Sequence, residues 1–466
     1  MRRLFYLALA TVLAATYVQL VLDGPRRGPA APAGRPAGGA PGRGAEAPAL
    51  LPDPAADRRL PAWTDPWESG LEPGTTAAAD SLLAVAADRA WHFTVRNYNP
   101  ATGLVNAHDE YRFVTMWDVA SALAAYYSAG RLGLTDAQDY RDRAGRALRT
   151  LASAPLFEDG LFNKVYDAQT GAAVDADTEP SESGFGWSAV DMGRLLVWLR
   201  ILREGDPDLT ALVDSVVARL DPAAAVGDGV LLGRERGSIL GTRTYQEGRI
   251  GYEQYAARGF ALWGAPAATA SDAFANAAID SVYGRPVPRD VRGDDCLTSE
   301  PLILAGMEFG WDADWGELAR AALEAQYARY LATDTVTIVS EDASSLPPHY
   351  FYYYCVSADG RAYAVHAKGE AGPLAGPRAV SAKAAFAWYA LAPSPYTALA
   401  VRTVAAGARE GAWPAGVLEG TDRPSGGENV NTAGVILEAA LYAAGQLPFL
   451  RPAAAGAAGT PSGDLP

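Results

Sequence analysis

The sequence predicts an all-α fold, an (α/α)6 toroid with short β-hairpins in the long loops of one rim. Three observations carry this expectation. Apolar residues recur at helical spacing from Thr76 onward, helix breakers punctuate the runs, and the connections alternate between short and long. Leu82, Leu83, Ala86, Ala90 and Phe93 mark the first helix, and Leu195, Leu196, Leu199 and Leu202 a later one. Leu318, Leu323, Tyr327 and Leu331, then Ile436, Leu437, Ala440 and Leu441, repeat the pattern. Gly133, Pro155, Gly205-Asp206-Pro207, Pro266, Pro301 and Pro393 stand between the runs.

This periodicity predicts about twelve helices, at roughly 76–96, 113–131, 135–153, 187–204, 207–220, 252–263, 266–276, 298–310, 314–332, 379–392, 394–408 and 430–445. Short connections pair consecutive helices antiparallel. The long ones, at about 154–186, 221–251, 277–297, 333–378 and 409–429, would gather functional groups on one side of a rigid scaffold. Six hairpins of this kind make a toroid over about 76–447, although a two-layer bundle or solenoid fits the same alternation. β-like runs at Thr335-Val336-Thr337-Ile338-Val339 and His349-Tyr350-Phe351-Tyr352-Tyr353-Tyr354 predict short hairpins inside one long loop.

The flanks read differently. Met1-Arg2-Arg3 precedes an apolar run from Leu4 to Leu22, which fits either a signal peptide or a single spanning helix. Its length favours an uncleaved anchor over 1–22, with the leading arginines kept in the cytoplasm. Residues 23–75 then form a tether, rich in Pro, Ala, Gly and Arg up to about Leu60, too poor in apolar surface there to offset its ordering entropy. The tail at 448–466 has a similar composition. The expected location is therefore the bacterial cell envelope, outside the cytoplasm, membrane-anchored or secreted.

The formal net charge of −15 repels nucleic-acid phosphates and anionic lipid headgroups, so no nucleic acid is expected as a partner of the folded body. The two cysteines, Cys296 and Cys355, fit a disulfide or two buried thiols equally well. The four histidines have no metal-ligand spacing, and neither a metal nor a cofactor is expected.

Carboxylates, aromatic residues and glycines concentrate where long loops meet helix starts. Trp117-Asp118 opens one helix, and Gly186-Trp187-Ser188-Ala189-Val190-Asp191-Met192-Gly193-Arg194 leads into another. Glu247-Gly248-Arg249-Ile250-Gly251-Tyr252-Glu253-Gln254-Tyr255, Ser299-Glu300-Pro301, Ser340-Glu341-Asp342, Ser381-Ala382-Lys383 and Asn429-Val430-Asn431-Thr432 follow. Gathered at one rim, these would suit a sugar, whose C–H faces stack on aromatic rings and whose hydroxyls need carboxylates and amides. Cleaving a glycosidic bond also requires two carboxyl groups flanking it. Structural roles compete for the same residues. Asp118, Asp191 and Ser188 suit helix capping, Arg194 suits an ion pair, and the tyrosine run suits a half-buried hairpin.

These motifs, in this order, resemble the signature set of the bacterial family known as domain of unknown function 3131, over about Thr76 to Gly445. More distantly they resemble the glucoamylase-like (α/α)6 domains associated with bacterial β-glucan enzymes. The resemblance implies an envelope protein and supplies no catalytic residues.

Two functions are expected from the residues. The first is an extracytoplasmic carbohydrate-active protein, a glycoside hydrolase or glucan-modifying enzyme, whose partner is an oligo- or polysaccharide. Glu253 and Glu300 are the expected acid and base, with Asp118, Glu247 and Glu341 in reserve. Trp117, Trp187, Tyr252 and Tyr350 would stack sugars, and Lys383, Asn429 and Asn431 would bind hydroxyls, with Asp191, Arg194 and Tyr255 also lining the substrate. The second is a non-catalytic glycan-binding or scaffolding protein of the envelope.

Overall fold

The computed structural model describes residues 73–450, apart from 110, 159, 238–240, 294–295, 346, 348, 368–373, 375, 377, 409–410 and 446–447. The expected anchor or signal at 1–22, and the tether up to residue 72, lie outside the described residues. No helix among the described residues is long and apolar enough to cross a membrane.

Twelve α-helices lie among the described residues. They are α1 (Pro73–Arg96), α2 (Met116–Leu132), α3 (Ala137–Ser153), α4 (Ala189–Gly205), α5 (Thr210–Val217), α6 (Tyr252–Ala261), α7 (Ala268–Ser271), α8 (Glu300–Glu308), α9 (Ala313–Thr333), α10 (Ala382–Leu391), α11 (Pro395–Gly407) and α12 (Val430–Ala443). Each falls within or close to an expected span. The largest difference is α7, a single turn where eleven residues were anticipated, because Asp272 and the residues after it leave the helix to feed a hairpin.

Even-numbered helices carry the apolar burden. In α2, α4, α8, α10 and α12 almost every residue after the first turn is buried, whereas α3 shows one apolar stripe and a charged outer face. A helix apolar all round must be surrounded by other elements. Accordingly α2 packs on α4, α4 on α6, α6 and α10 on α8, α10 on α12, and α12 back on α2.

The fold is not purely helical. Long loops carry antiparallel pairs, among them Val230–Gly237 with Gly241–Gln246, and Ala277–Val282 with Arg285–Asp290. The tyrosine run is a strand, Tyr350–Tyr353, but it pairs with Glu341–Ala343 on one side and Val365–His366 on the other. Thr335–Val339, expected as a strand, pairs with none. Its backbone bonds elsewhere: Gln326 accepts from the Val339 amide at 2.7 Å, Tyr396 donates to the Thr337 carbonyl, and the Ser381 amide donates to the Ile338 carbonyl.

Both ends of the domain differ from expectation. Helix α1 begins at Pro73, inside the expected tether. At the other end Phe449 packs on Tyr127 and Trp198, and the amides of Phe449 and Leu450 cap the carbonyls of Met307 and Glu308, so residues 448–450 belong to the body rather than the tail. Arg96, the last residue of α1, pairs with Glu428 at 3.0 Å, just before the start of α12. Cys296 and Cys355 are free buried thiols.

Close helix contact at α4 and α6 depends on glycine. A Cβ on Gly193 would overlap the Ala256 backbone, and one on Gly259 would overlap the Gly193 carbonyl. Alanine normally gains about 1 kcal/mol over glycine inside a helix. Here the overlap forces the helices apart, so Gly193→Ala is expected to lower stability by about 1–3 kcal/mol, read as a lower urea midpoint.

Candidate active site

The first turns of six helices supply the site. Trp117 and Asp118 come from α2, Asp191 from α4, Tyr252 and Glu253 from α6, Glu300 from α8, Lys383 from α10 and Asn431 from α12. Caps fix these starts. Thr115 and Asp118 form a reciprocal capping box, Ser188 accepts from the Asp191 amide at 3.1 Å, and Asn429 accepts from the Thr432 amide at 2.7 Å. Capping and site placement therefore coincide at Asp118. Carboxylates at such positions also gain from the positive helix end.

Glu300 is the hub. Its Oε1 accepts from Trp117 Nε1 at 3.1 Å and from Asn431 Nδ2 at 2.6 Å. Its Oε2 accepts from Tyr252 at 3.1 Å and from Lys383 Nζ at 2.7 Å. The Lys383 ammonium also bonds the Glu341 carbonyl at 2.6 Å and lies 3.5 Å from Asp342. Burial alone would lift the Glu300 carboxyl, but Lys383, Arg194 and the hydrogen bonds from Lys383 and Asn431 hold it below its ordinary value. Glu300 is thus a fixed anion, not a proton donor.

The neighbouring acids behave oppositely. Burial, reinforced by Glu247 and Asp118, pushes the Asp191 carboxyl up to about 7. Burial also lifts Asp118, with Glu300 adding to the rise, and lifts Glu247, against Lys164 and the amides at the start of α4. Glu247 accepts from the Ala189 amide at 2.5 Å. Asp342 is likewise raised to about 7 by burial, against Lys383. Glu341 accepts from Tyr354 at 2.8 Å and from Tyr350 at 3.4 Å. Electrostatic contact runs unbroken from Glu247 through Asp191, Asp118, Glu300 and Lys383 to Asp342 and Glu341.

Exposure sorts the fifteen sequence candidates. Trp117, Asp118, Asp191, Glu247, Tyr252, Glu341 and Asn431 are partly exposed and Tyr350 is exposed, so all can meet a ligand. Seven are buried. Glu300 and Lys383 form the hub just described. Trp187, expected to stack sugar, is 1% exposed, packs on Phe157 and donates to the Leu232 carbonyl. Arg194, with no exposed surface, pairs with Glu438 at 3.1 Å and lies over the Trp117 ring at 4.7 Å. Tyr255 donates to Glu308 at 2.6 Å inside the bundle. Asn429 spends its side chain on the α12 cap and the Gly427 carbonyl. Glu253, an expected catalytic acid, is buried against Arg292 at 2.6 Å and Gln246 at 3.0 Å, a different network from that of Glu300.

Beneath the hub lies a layer not anticipated from the sequence. Glu308 accepts from Trp198 and Tyr255, and Glu438 pairs with Arg194, all without exposed surface. Burial pushes Glu308 up to about 7 and raises Glu438, which Glu308 lifts further, so the pair holds a proton against the single Arg194 charge. Acids inside the apolar runs Leu304–Glu308 and Val435–Leu441 were the available signal, since a charge there must be partnered. Asp342, beside the candidate Glu341, is buried next to Lys383. Among the described residues no group of His, Cys, Asp and Glu could hold a metal ion.

A helical body whose helix starts surround a ligated carboxylate defines a recognisable class. The family model for Protein of unknown function (DUF3131) matches residues 85–445, and the chain belongs to that family. No curated protein matches the sequence significantly. Among solved structures, a glucoamylase-like protein from Bacteroides caccae superposes with a TM-score of 0.57 at 14% identity, covering 78% of this chain and 93% of that one. The endo-β-1,2-glucanase of Chitinophaga pinensis, in complex with sophorotriose and glucose, gives 0.53 at 13% identity, covering 80% and 93%. A mutant endo-β-1,2-glucanase of Talaromyces funiculosus, in complex with β-1,2-glucan, gives 0.52 at 11% identity, covering 78% and 86%. The fold is therefore glucoamylase-like.

Removing the hub's charge leaves Lys383 buried without its closest counter-ion. Glu300→Gln is therefore expected to lose about 3–5 kcal/mol, visible as a lower melting temperature. Adding Lys383→Met to Glu300→Gln should recover a substantial part of that loss.

Proposed function

We propose that the chain is an extracytoplasmic glycoside hydrolase or glucan-modifying enzyme acting on a β-linked glucan. Its helices would form an (α/α)6 toroid, a reading supported by the cyclic packing of α2, α4, α6, α8, α10 and α12. The observation that carries the proposal is the row of partly exposed acids and aromatic rings around one ionised, donor-saturated carboxylate. Similarity of fold to two endo-β-1,2-glucanases makes β-1,2-glucan the first substrate to test.

Within this reading the roles shift from those expected. Asp191 is the general acid, since it is partly exposed and burial beside Glu247 and Asp118 keeps its proton near neutral pH. Glu341, oriented by Tyr354 and Tyr350, supplies the second carboxylate. Trp117 and Tyr252 are held edge to face, 5.6 Å apart, by their bonds to Glu300, and would present fixed rings to the sugar. Glu300 is a positioning residue. The N-terminal run would hold the enzyme at the outer side of the membrane.

The full-length chain should release reducing ends from linear β-1,2-glucan. Failure on this and on β-1,3-, β-1,4- and α-1,4-glucans would overturn the enzyme reading. The acid must be protonated to act, so activity is expected to fall as pH rises through about 7, and kcat/KM against pH reads this limb. Asp191→Asn should lose about a hundredfold or more in kcat and abolish the limb while leaving the fold intact.

The saturation of Glu300 and the pairing of Glu253 with Arg292 favour a second reading, a non-catalytic glycan-binding or scaffolding protein. Calorimetric binding of an oligosaccharide without any release of reducing ends would select it.

A further inference from the structure

We propose that the strand Tyr350–Tyr353, with Tyr354 and the facing Glu341, forms a second carbohydrate subsite that receives further residues of a polymeric glucan. The inference rests on the carbohydrate reading above and names its substrate class, a polymer rather than a short oligosaccharide.

Alternation along a strand puts Tyr350, Tyr352 and Tyr354 on one face and Phe351 and Tyr353 on the other. The second face anchors the strand. Phe351 and Tyr353 have no exposed surface, and the Tyr353 hydroxyl donates to Glu419 at 2.6 Å. The first face grades outward. Tyr354 is buried, Tyr352 is partly exposed, and Tyr350 is 38% exposed, one of few large apolar side chains so placed among the described residues. Tyr352 and Tyr354 lie parallel with centroids 6.3 Å apart, and Tyr350 meets Tyr352 edge-on at 5.4 Å. The rings therefore form a ramp climbing from the interior to solvent.

Glu341 ties the ramp to the hub. It stands opposite Tyr352 in the strand register, so the two share a face. Its carboxylate takes the hydroxyls of Tyr354 and Tyr350, which fixes the ring tips. Its own carbonyl accepts from Lys383, the partner of Glu300. Tyr350 interacts electrostatically with Glu300 as well as with Glu341. A glycan bound at Trp117 and Tyr252 thus has tyrosine rings beside it, with carboxylate and phenol groups for its hydroxyls. At 38% exposure the Tyr350 side chain keeps a solvent-facing part at the outer end of the ramp, where a ligand can reach it.

The test uses the full-length chain carrying Asp191→Asn, so that ligands persist, and calorimetry with linear β-1,2-gluco-oligosaccharides from disaccharide to polymer. Affinity should climb about tenfold as the chain becomes long enough to reach the ramp, a gain of about 1.4 kcal/mol. Tyr350→Ala combined with Tyr352→Ala should flatten that climb, and the matching Phe pair should keep it. Tyr350→Ala alone, at the exposed ring, should flatten it in part and guards against misfolding of the double variant. A climb unchanged in both Ala variants would overturn the ramp while leaving the carbohydrate reading intact. Absence of binding at every length in the parent protein would overturn that reading, and the ramp with it.

Discussion

A carboxylate taken from water must be met by opposite charge and by hydrogen-bond donors, or the fold cannot keep it ionised. Glu300 satisfies this requirement with four donors drawn from four other helices: Trp117 of α2, Tyr252 of α6, Lys383 of α10 and Asn431 of α12. One anion therefore fixes the relative height and rotation of five helix starts. The exposed acids then take their character from it: Asp118 is lifted partly by Glu300, and Asp191 in turn partly by Asp118.

The layer below reinforces that arrangement. Arg194 spans the two, with its guanidinium over the Trp117 ring and one nitrogen on Glu438. Tyr255 and Trp198 close the other side by donating to Glu308. Two glutamates and one arginine in a dry interior balance only if a proton stays with the acids, which the raised values of both reflect. These contacts tie the Trp117 ring above to the acids of the layer below.

Much of the helical architecture was legible because it follows from period and punctuation. Every expected helix has a counterpart, and the expected capping residues Asp118 and Ser188 mark true starts. Hairpins within the loops were less legible. Thr337, Ile338 and Val339 in the β-like run are all buried without strand pairing, and a strand signal cannot tell burial from pairing with a neighbour. At the site, the motifs fall at helix starts that the fold brings together, but spacing does not tell which side of each start faces outward. Neighbours Tyr252 and Glu253 point into different networks, and Glu341 is partly exposed where Asp342 is buried, so one residue of shift along a chain decides between solvent and core. Glu308 and Glu438 were readable as misplaced charges, yet their partners come from distant segments and only the fold brings them together.

The contact between Arg96 and Glu428 sets a direction. It places the end of α1 beside the start of α12, so Pro73 lies toward the far end of the bundle, where the Tyr389 hydroxyl meets Asp80 at 2.8 Å beyond the middle of α10. Leu450 leaves from that same end, capping the last carbonyl of α8. The first and last described turns of the body thus both lie at its back, and the acids and tyrosines occupy the opposite face, clear of both chain ends.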